Sequence, residues 1–142
     1  MFNNTYINHS GNHIEDRLVK QGAKNILKIY ENEKLTGIAF IIDMGGKEMP
    51  FRLPARVERV EKRLREQVSR PRKETLSRIS DQASRTAWKL LSDWVDIQMS
   101  LIELDQVEFI EVFMPYLYDF NKKITLFEKM KSTGFSLLED KR

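Results

Sequence analysis

Residues 37–54, Gly37-Ile38-Ala39-Phe40-Ile41-Ile42-Asp43-Met44-Gly45-Gly46-Lys47-Glu48-Met49-Pro50-Phe51-Arg52-Leu53-Pro54, decide the fold. Gly37–Asp43 is nearly all apolar, as a central strand is. Gly45-Gly46 predicts a tight hairpin turn, because glycine alone enters positive φ without steric cost. On the returning strand Met49, Phe51 and Leu53 point one way, while Pro50 and Arg52 point the other. A proline cannot donate to a ladder, which places this strand at an edge of its sheet. Upstream, Ile26–Tyr30 alternates and ends at the turn signal Asn32-Glu33-Lys34. The three segments together predict an antiparallel meander.

Helical periods surround this sheet. Ile14 to Ala23 reads as a short helix with Gly22 weakening its end, and residues 1–12 before it read as a flexible polar leader. After the meander, Pro54 opens a helix with a thin apolar stripe, Val57, Val60, Leu64 and Val68, and densely charged other faces. Ser69-Arg70-Pro71-Arg72 breaks it. A long helix is predicted from about Lys73 to about Leu104, with apolar positions at Leu76, Ile79, Ala83, Ala87, Leu90, Trp94, Ile97 and Leu101. A second stripe, Trp88, Leu91, Val95, Met99 and Ile102, exists only in its later half. That half is expected to be buried on a broad face centred on Trp94, with the earlier half wet apart from one narrow seam. Val107–Phe113 reads as one or two helical turns, 114–118 as an aromatic closing loop, and Ile124–Ser132 as a last amphipathic helix stopped by Gly134. The fold class expected is α+β: a short N-terminal helix, a three-stranded antiparallel sheet, a charged helix, a long helix and a short C-terminal helix, forming a single domain over 13–142.

Composition narrows the function classes. Of 142 residues, 41% are hydrophobic and 32% charged, too apolar for a disordered chain and too charged for a membrane-embedded one. Residues 1–10 lack the cationic and apolar regions of a secretory signal, and cysteine is absent, so a reducing, cytoplasmic setting is expected. The net charge of +3 conceals an asymmetry: residues 1–50 are neutral, 51–90 carry +7 and 91–142 carry −4. Such a division points to an anionic partner, or to two copies meeting head to tail.

No catalytic set emerges, and the chain reads as a non-enzyme without cofactor or metal. His9 and His13 stand at i, i+4, a spacing that can bind metal, but in a polar segment without a third neutral ligand they read as exposed leader residues. Gly45-Gly46 joins two strands and is no phosphate loop. Glu103, Asp105, Glu108 and Glu111 read as a solvated face, and Asp93 and Asp96 as partners for an arginine at the core edge or as caps of a neighbouring element. Trp88, Trp94, Phe109, Phe113, Tyr116 and Tyr118 read as core packing rather than base-stacking residues.

The basic block carries the functional signal. Arg56, Arg59 and Arg63 share one helical face, Arg52 precedes them, and Arg65, Arg70, Arg72, Lys73, Arg78 and Arg85 continue into the long helix. Arginine dominates, as it does where planar contacts to phosphate matter. Glu58, Glu61, Glu66, Glu74 and Asp81 interleave and can pair with it. Three readings stay open: a self-neutralised face, a nucleic-acid backbone site formed by those ten residues, or a surface for an acidic protein, a second copy included. A homo-oligomer is expected through the seam Leu76, Ile79 and Ala83.

Phe51-Arg52-Leu53-Pro54-Ala55, Gln82-Ala83-Ser84-Arg85-Thr86-Ala87-Trp88, and Trp94 through Tyr118 with Gln98, Leu101-Ile102-Glu103, Val112-Phe113 and Pro115-Tyr116 carry a resemblance. Over roughly residues 36–118 the chain resembles a family of small bacteriophage and prophage proteins with no assigned activity. The resemblance implies a mobile-element setting, where small proteins handle nucleic acid or bind and block a host or phage protein. The order helix, three strands, helix also resembles that of double-stranded-RNA-binding domains, in topology alone.

Overall fold

A computed structural model describes residues 5–136 of the chain. The elements run α1 (Thr5–Lys20), β1 (Lys24–Glu31), β2 (Lys34–Met44), β3 (Lys47–Pro54), α2 (Val57–Glu66), α3 (Lys73–Glu103), α4 (Phe109–Phe113), a 3-10 turn (Met114–Tyr116), β4 (Tyr118–Asp119), β5 (Ile124–Thr125) and α5 (Leu126–Ser132). The α+β order read from the sequence holds, with a second, two-stranded sheet added.

The main sheet has the order β1-β2-β3, antiparallel throughout, so β2 is central and β3 an edge. Gly45 and Gly46 take φ of 63° and 86° in the two-residue turn, and the Asp43 carboxylate accepts the Gly46 N–H at 3.0 Å. Ile38 pairs with Leu53, Phe40 with Phe51 and Ile42 with Met49, and these rows face the helices. Arg52 and Pro54 emerge on the opposite side. Gly37 is confined by its neighbour strand: a Cβ there would lie 2.8 Å from the Leu53 carbonyl oxygen. Gly37→Ala must therefore push β3 aside. We expect a loss of about 1–3 kcal/mol, read as a lowered thermal midpoint; an unchanged midpoint would contradict the β2–β3 spacing.

The core lies between the inner sheet face, α1 and the second half of α3. Ile14, Leu18, Ile38, Phe40, Phe51, Leu53, Trp88, Val95, Met99 and Phe113 are fully enclosed. The Trp88 indole N–H donates to the Leu35 carbonyl at 3.1 Å, so the largest buried side chain is also satisfied. Ionic contacts clamp α1 to α3. Asp96 accepts from His13 at 2.7 and 2.8 Å and has the Arg17 Nε at 3.2 Å, and the Arg17 guanidinium reaches Glu103 at 3.9 Å.

Four expectations are corrected. Residues 5–12, read as a leader, are helical; α1 begins at Thr5, so His13 sits on an ordered helix and pairs across to Asp96. Pro54 closes β3 rather than opening a helix, and α2 starts at Val57. The buried face of α3 is the second stripe: Trp88, Val95 and Met99 are enclosed, whereas Trp94 is half-buried and Leu90 and Ile97 are each 59% exposed. The early seam is not free for a second copy, because α2 folds back on the first half of α3 and Ile79 and Ala83 are buried within the chain itself.

Candidate functional site

The chain's ten candidate basic residues separate into four places. Arg63 is exposed and pairs with Glu66 at 3.6 Å, and Arg65 pairs with Glu61 at 2.7 Å, as expected for a self-neutralised helix surface. Arg70, Arg72 and Lys73 stand exposed at the turn between α2 and α3, the far end of that helical hairpin. Arg78 and Arg85 lie seven residues apart on α3, on a different side from Ile79 and Ala83; Arg85 borders a shallow recess with Thr86, Lys89 and Leu90.

Arg52, Arg56 and Arg59 converge elsewhere. With Pro54 and Glu58 they form one wall of a groove of about 660 Å³, whose other wall is Lys123, Thr125, Phe127, Glu128, Lys131 and Ser132. The strand–helix junction makes the first wall: alternation turns Arg52 out of the sheet, and Arg56 then takes a left-handed φ of 54° at the N-cap of α2. The β4–β5 hairpin and α5 make the second. An isolated bridge from Phe51 to Leu117 and the Leu126 N–H to the Leu117 carbonyl, 2.7 Å, tie that segment to β3. Lys123, like Arg56, has a left-handed backbone, φ 57°. Non-glycine residues adopt this conformation at a cost of about 1–2 kcal/mol.

Five cationic side chains thus face two carboxylates, a surplus of three positive charges. Arg52 is partly occupied: it lies 3.7 Å from Glu31, and its guanidinium stands over the Tyr118 ring at 5.6 Å. Arg56, Arg59, Lys123 and Lys131 make no ion pair among the described residues. Glu128 is committed to the cap of α5. Its Oε1 accepts the Thr125 N–H at 2.9 Å and the Thr125 hydroxyl at 3.0 Å, while Thr125 Oγ1 accepts the Glu128 N–H at 3.2 Å. The Thr125 N–H above all, then its hydroxyl and the charges of Arg56 and Arg52, hold the Glu128 carboxyl below the usual glutamate range, against a partial desolvation. A carboxyl lowered on folding adds stability above its unfolded pKa and loses it as pH falls through the folded one. At neutral pH the cap is intact and the groove's surplus stands.

Among the described residues no three histidine, cysteine, aspartate or glutamate side chains gather as a metal set, and no helix is long and apolar enough to cross a membrane. Sequence reading found Arg52, Arg56 and Arg59 but not Lys123, Phe127 or Lys131. Phe127 and Lys131 stand four apart, one face of α5, and that spacing was the available signal. Compared with family models, curated proteins and solved structures, the chain matches none. Fold and groove define it as a small α+β protein with a basic, aromatic-edged groove beside its sheet.

Proposed function

We propose that the chain is a non-enzymatic binding protein that holds nucleic-acid backbone in this groove. The observation that carries the reading is the set of four cations, Arg56, Arg59, Lys123 and Lys131, lining one groove without an ion pair among the described residues. Cations on facing walls, without ion pairs of their own, are what a phosphate chain needs. In the mobile-element setting implied by the resemblance, such a protein would handle phage or host nucleic acid.

Phosphate contacts release counterions, so affinity must fall with salt. With about four contacts, raising salt from about 50 to about 200 mM should weaken binding roughly 50- to 150-fold. Arg56→Gly relieves the left-handed strain; it should melt no lower than wild type by more than about 0.5 kcal/mol, yet bind more weakly and with a shallower salt slope. Fluorescence anisotropy of a labelled mixed-sequence oligonucleotide measures both. No binding at low salt, or a flat salt response, overturns the reading.

A protein partner is the second reading, favoured by Leu90 and Ile97 on α3 and Leu104 at its C-cap, which stand 59%, 59% and 69% exposed. It gains support if a partner captured from cells survives nuclease treatment and is lost on Leu90→Lys with Ile97→Lys.

A further inference from the structure

The exposed phenylalanines among the described residues are Phe120, Phe127 and Phe135, at 57%, 37% and 51%; the first two fall within the segment that builds the groove's second wall, and Phe135 follows it. Phe127 lines the groove itself. Its neighbour Phe135 lies 6.2 Å away, centroid to centroid, at 48°, so the two rings lean together without closing over one another. Packing does not account for leaving these rings in water. The core of the domain already has its aromatic cluster around Phe40, Phe51, Phe109 and Phe113. Leaving apolar area in water forgoes about 25 cal/mol per Å².

A ring beside unpaired cations matches one ligand better than others. A single strand offers both a phosphate chain and a free base face every nucleotide, and stacking on an aromatic tolerates any sequence. In a duplex the base faces are covered by their neighbours, and reaching one costs unstacking. The dimensions agree: about 660 Å³ lies within the roughly 300–1,000 Å³ of sites that enclose small ligands, room for a nucleotide or two. Lys131, four residues from Phe127 on the same face of α5, and Arg56 and Arg59 on the facing wall, set phosphate-binding groups on both sides of the ring.

Resting on the groove reading, we infer that the ligand is single-stranded nucleic acid, with a base stacked on Phe127 and its flanking phosphates held by Arg56, Arg59 and Lys131. The test is anisotropy with a short fluorescein-labelled oligonucleotide of mixed sequence, alone and annealed to its complement, against wild type, Phe127→Ala, Phe127→Trp and the double variant Arg56→Glu, Arg59→Glu. Wild type should bind the single strand at least about tenfold more tightly than the duplex. Phe127→Ala should lose about 5- to 100-fold in single-strand affinity with its salt slope unchanged, since no counterion contact is removed. Phe127→Trp should bind like wild type, which a purely structural role for Phe127 would not predict, and the charge reversal should abolish binding. Equal affinity for strand and duplex, or wild-type binding by Phe127→Ala, overturns the single-strand inference. If the charge reversal still abolishes binding, the groove reading survives. Failure of wild type to bind either probe overturns both.

Discussion

Trp88→Ala should melt far below wild type, with a loss of about 3–5 kcal/mol. The indole is fully enclosed and touches the core that α3 shares with the sheet. Truncation leaves a cavity and also strips the Leu35 carbonyl of its donor, so a buried acceptor is left unsatisfied. Whole domains are stable by only about 5–15 kcal/mol, so the variant should lose roughly a third or more of a typical domain's stability and melt cooperatively well below wild type. Trp94→Ala is the informative contrast. Trp94 is half-buried and rests edge-on against Phe113 and Tyr116, at 5.4 and 5.8 Å. Its loss should be about half as large or less. Urea titration followed by circular dichroism measures both. A larger loss for Trp94→Ala would mean that the buried face of α3 is assigned a third of a turn wrong.

Phe113→Ala should cost a similar amount, about 3–5 kcal/mol, but through a different part of the molecule. Phe113 is fully buried; it stacks on Phe109 at 4.2 Å and meets Phe40 and Trp94 edge-on at 6.3 and 5.4 Å. This aromatic knot, together with the Phe51–Leu117 bridge, docks residues 109–132 onto the sheet. Without it, Lys123, Phe127 and Lys131 lose their position relative to Arg56 and Arg59. Hydrogen-exchange protection over residues 118–132 should therefore fall even where the sheet stays protected, and with it any affinity that rests on the proposed nucleic-acid groove. Phe120→Ala, at an exposed ring, should change stability by less than about 0.5 kcal/mol. If Phe113→Ala keeps wild-type protection over 118–132, the knot is not what holds the groove's second wall.

The parts of this fold that were legible are those written in short-range chemistry. Gly45-Gly46 and the alternation of Met49, Phe51 and Leu53 specify a hairpin and its inner face within ten residues, and Asp96 proved to be the partner of a core-edge arginine. The phase of α3 was not legible, because two apolar stripes run side by side and only α1, α2 and the sheet decide which is covered. α2 spans Val57–Glu66, too short to reach past the first half of α3, and so Leu90 and Ile97 remain in water. The groove was half legible. Arg52, Arg56 and Arg59 stand together in the chain, but Lys123 and Lys131 arrive through a hairpin of two-residue strands, too short to show a period of two. The left-handed turn at Arg56 has no marker, since neither glycine nor asparagine occupies it.

The division of the core between early and late residues has a consequence for synthesis. The sheet, residues 24–54, leaves the ribosome as a complete unit of local hairpins with α1 already made, yet the rest of its inner face is closed by Trp88, Val95, Met99 and finally Phe113. Sixty residues separate Leu53 from Phe113, roughly 3–12 s of translation at about 5–20 residues per second. Throughout that interval Ile38, Phe40, Phe51 and Leu53 have α1 but not α3 or Phe113 to cover them, and β1 and β3 present unpaired edges. Slower elongation lengthens this exposure and cooler growth weakens the hydrophobic attraction that drives misassociation. Folding during synthesis therefore depends on how the nascent sheet is sheltered until the second half of α3 and Phe113 arrive.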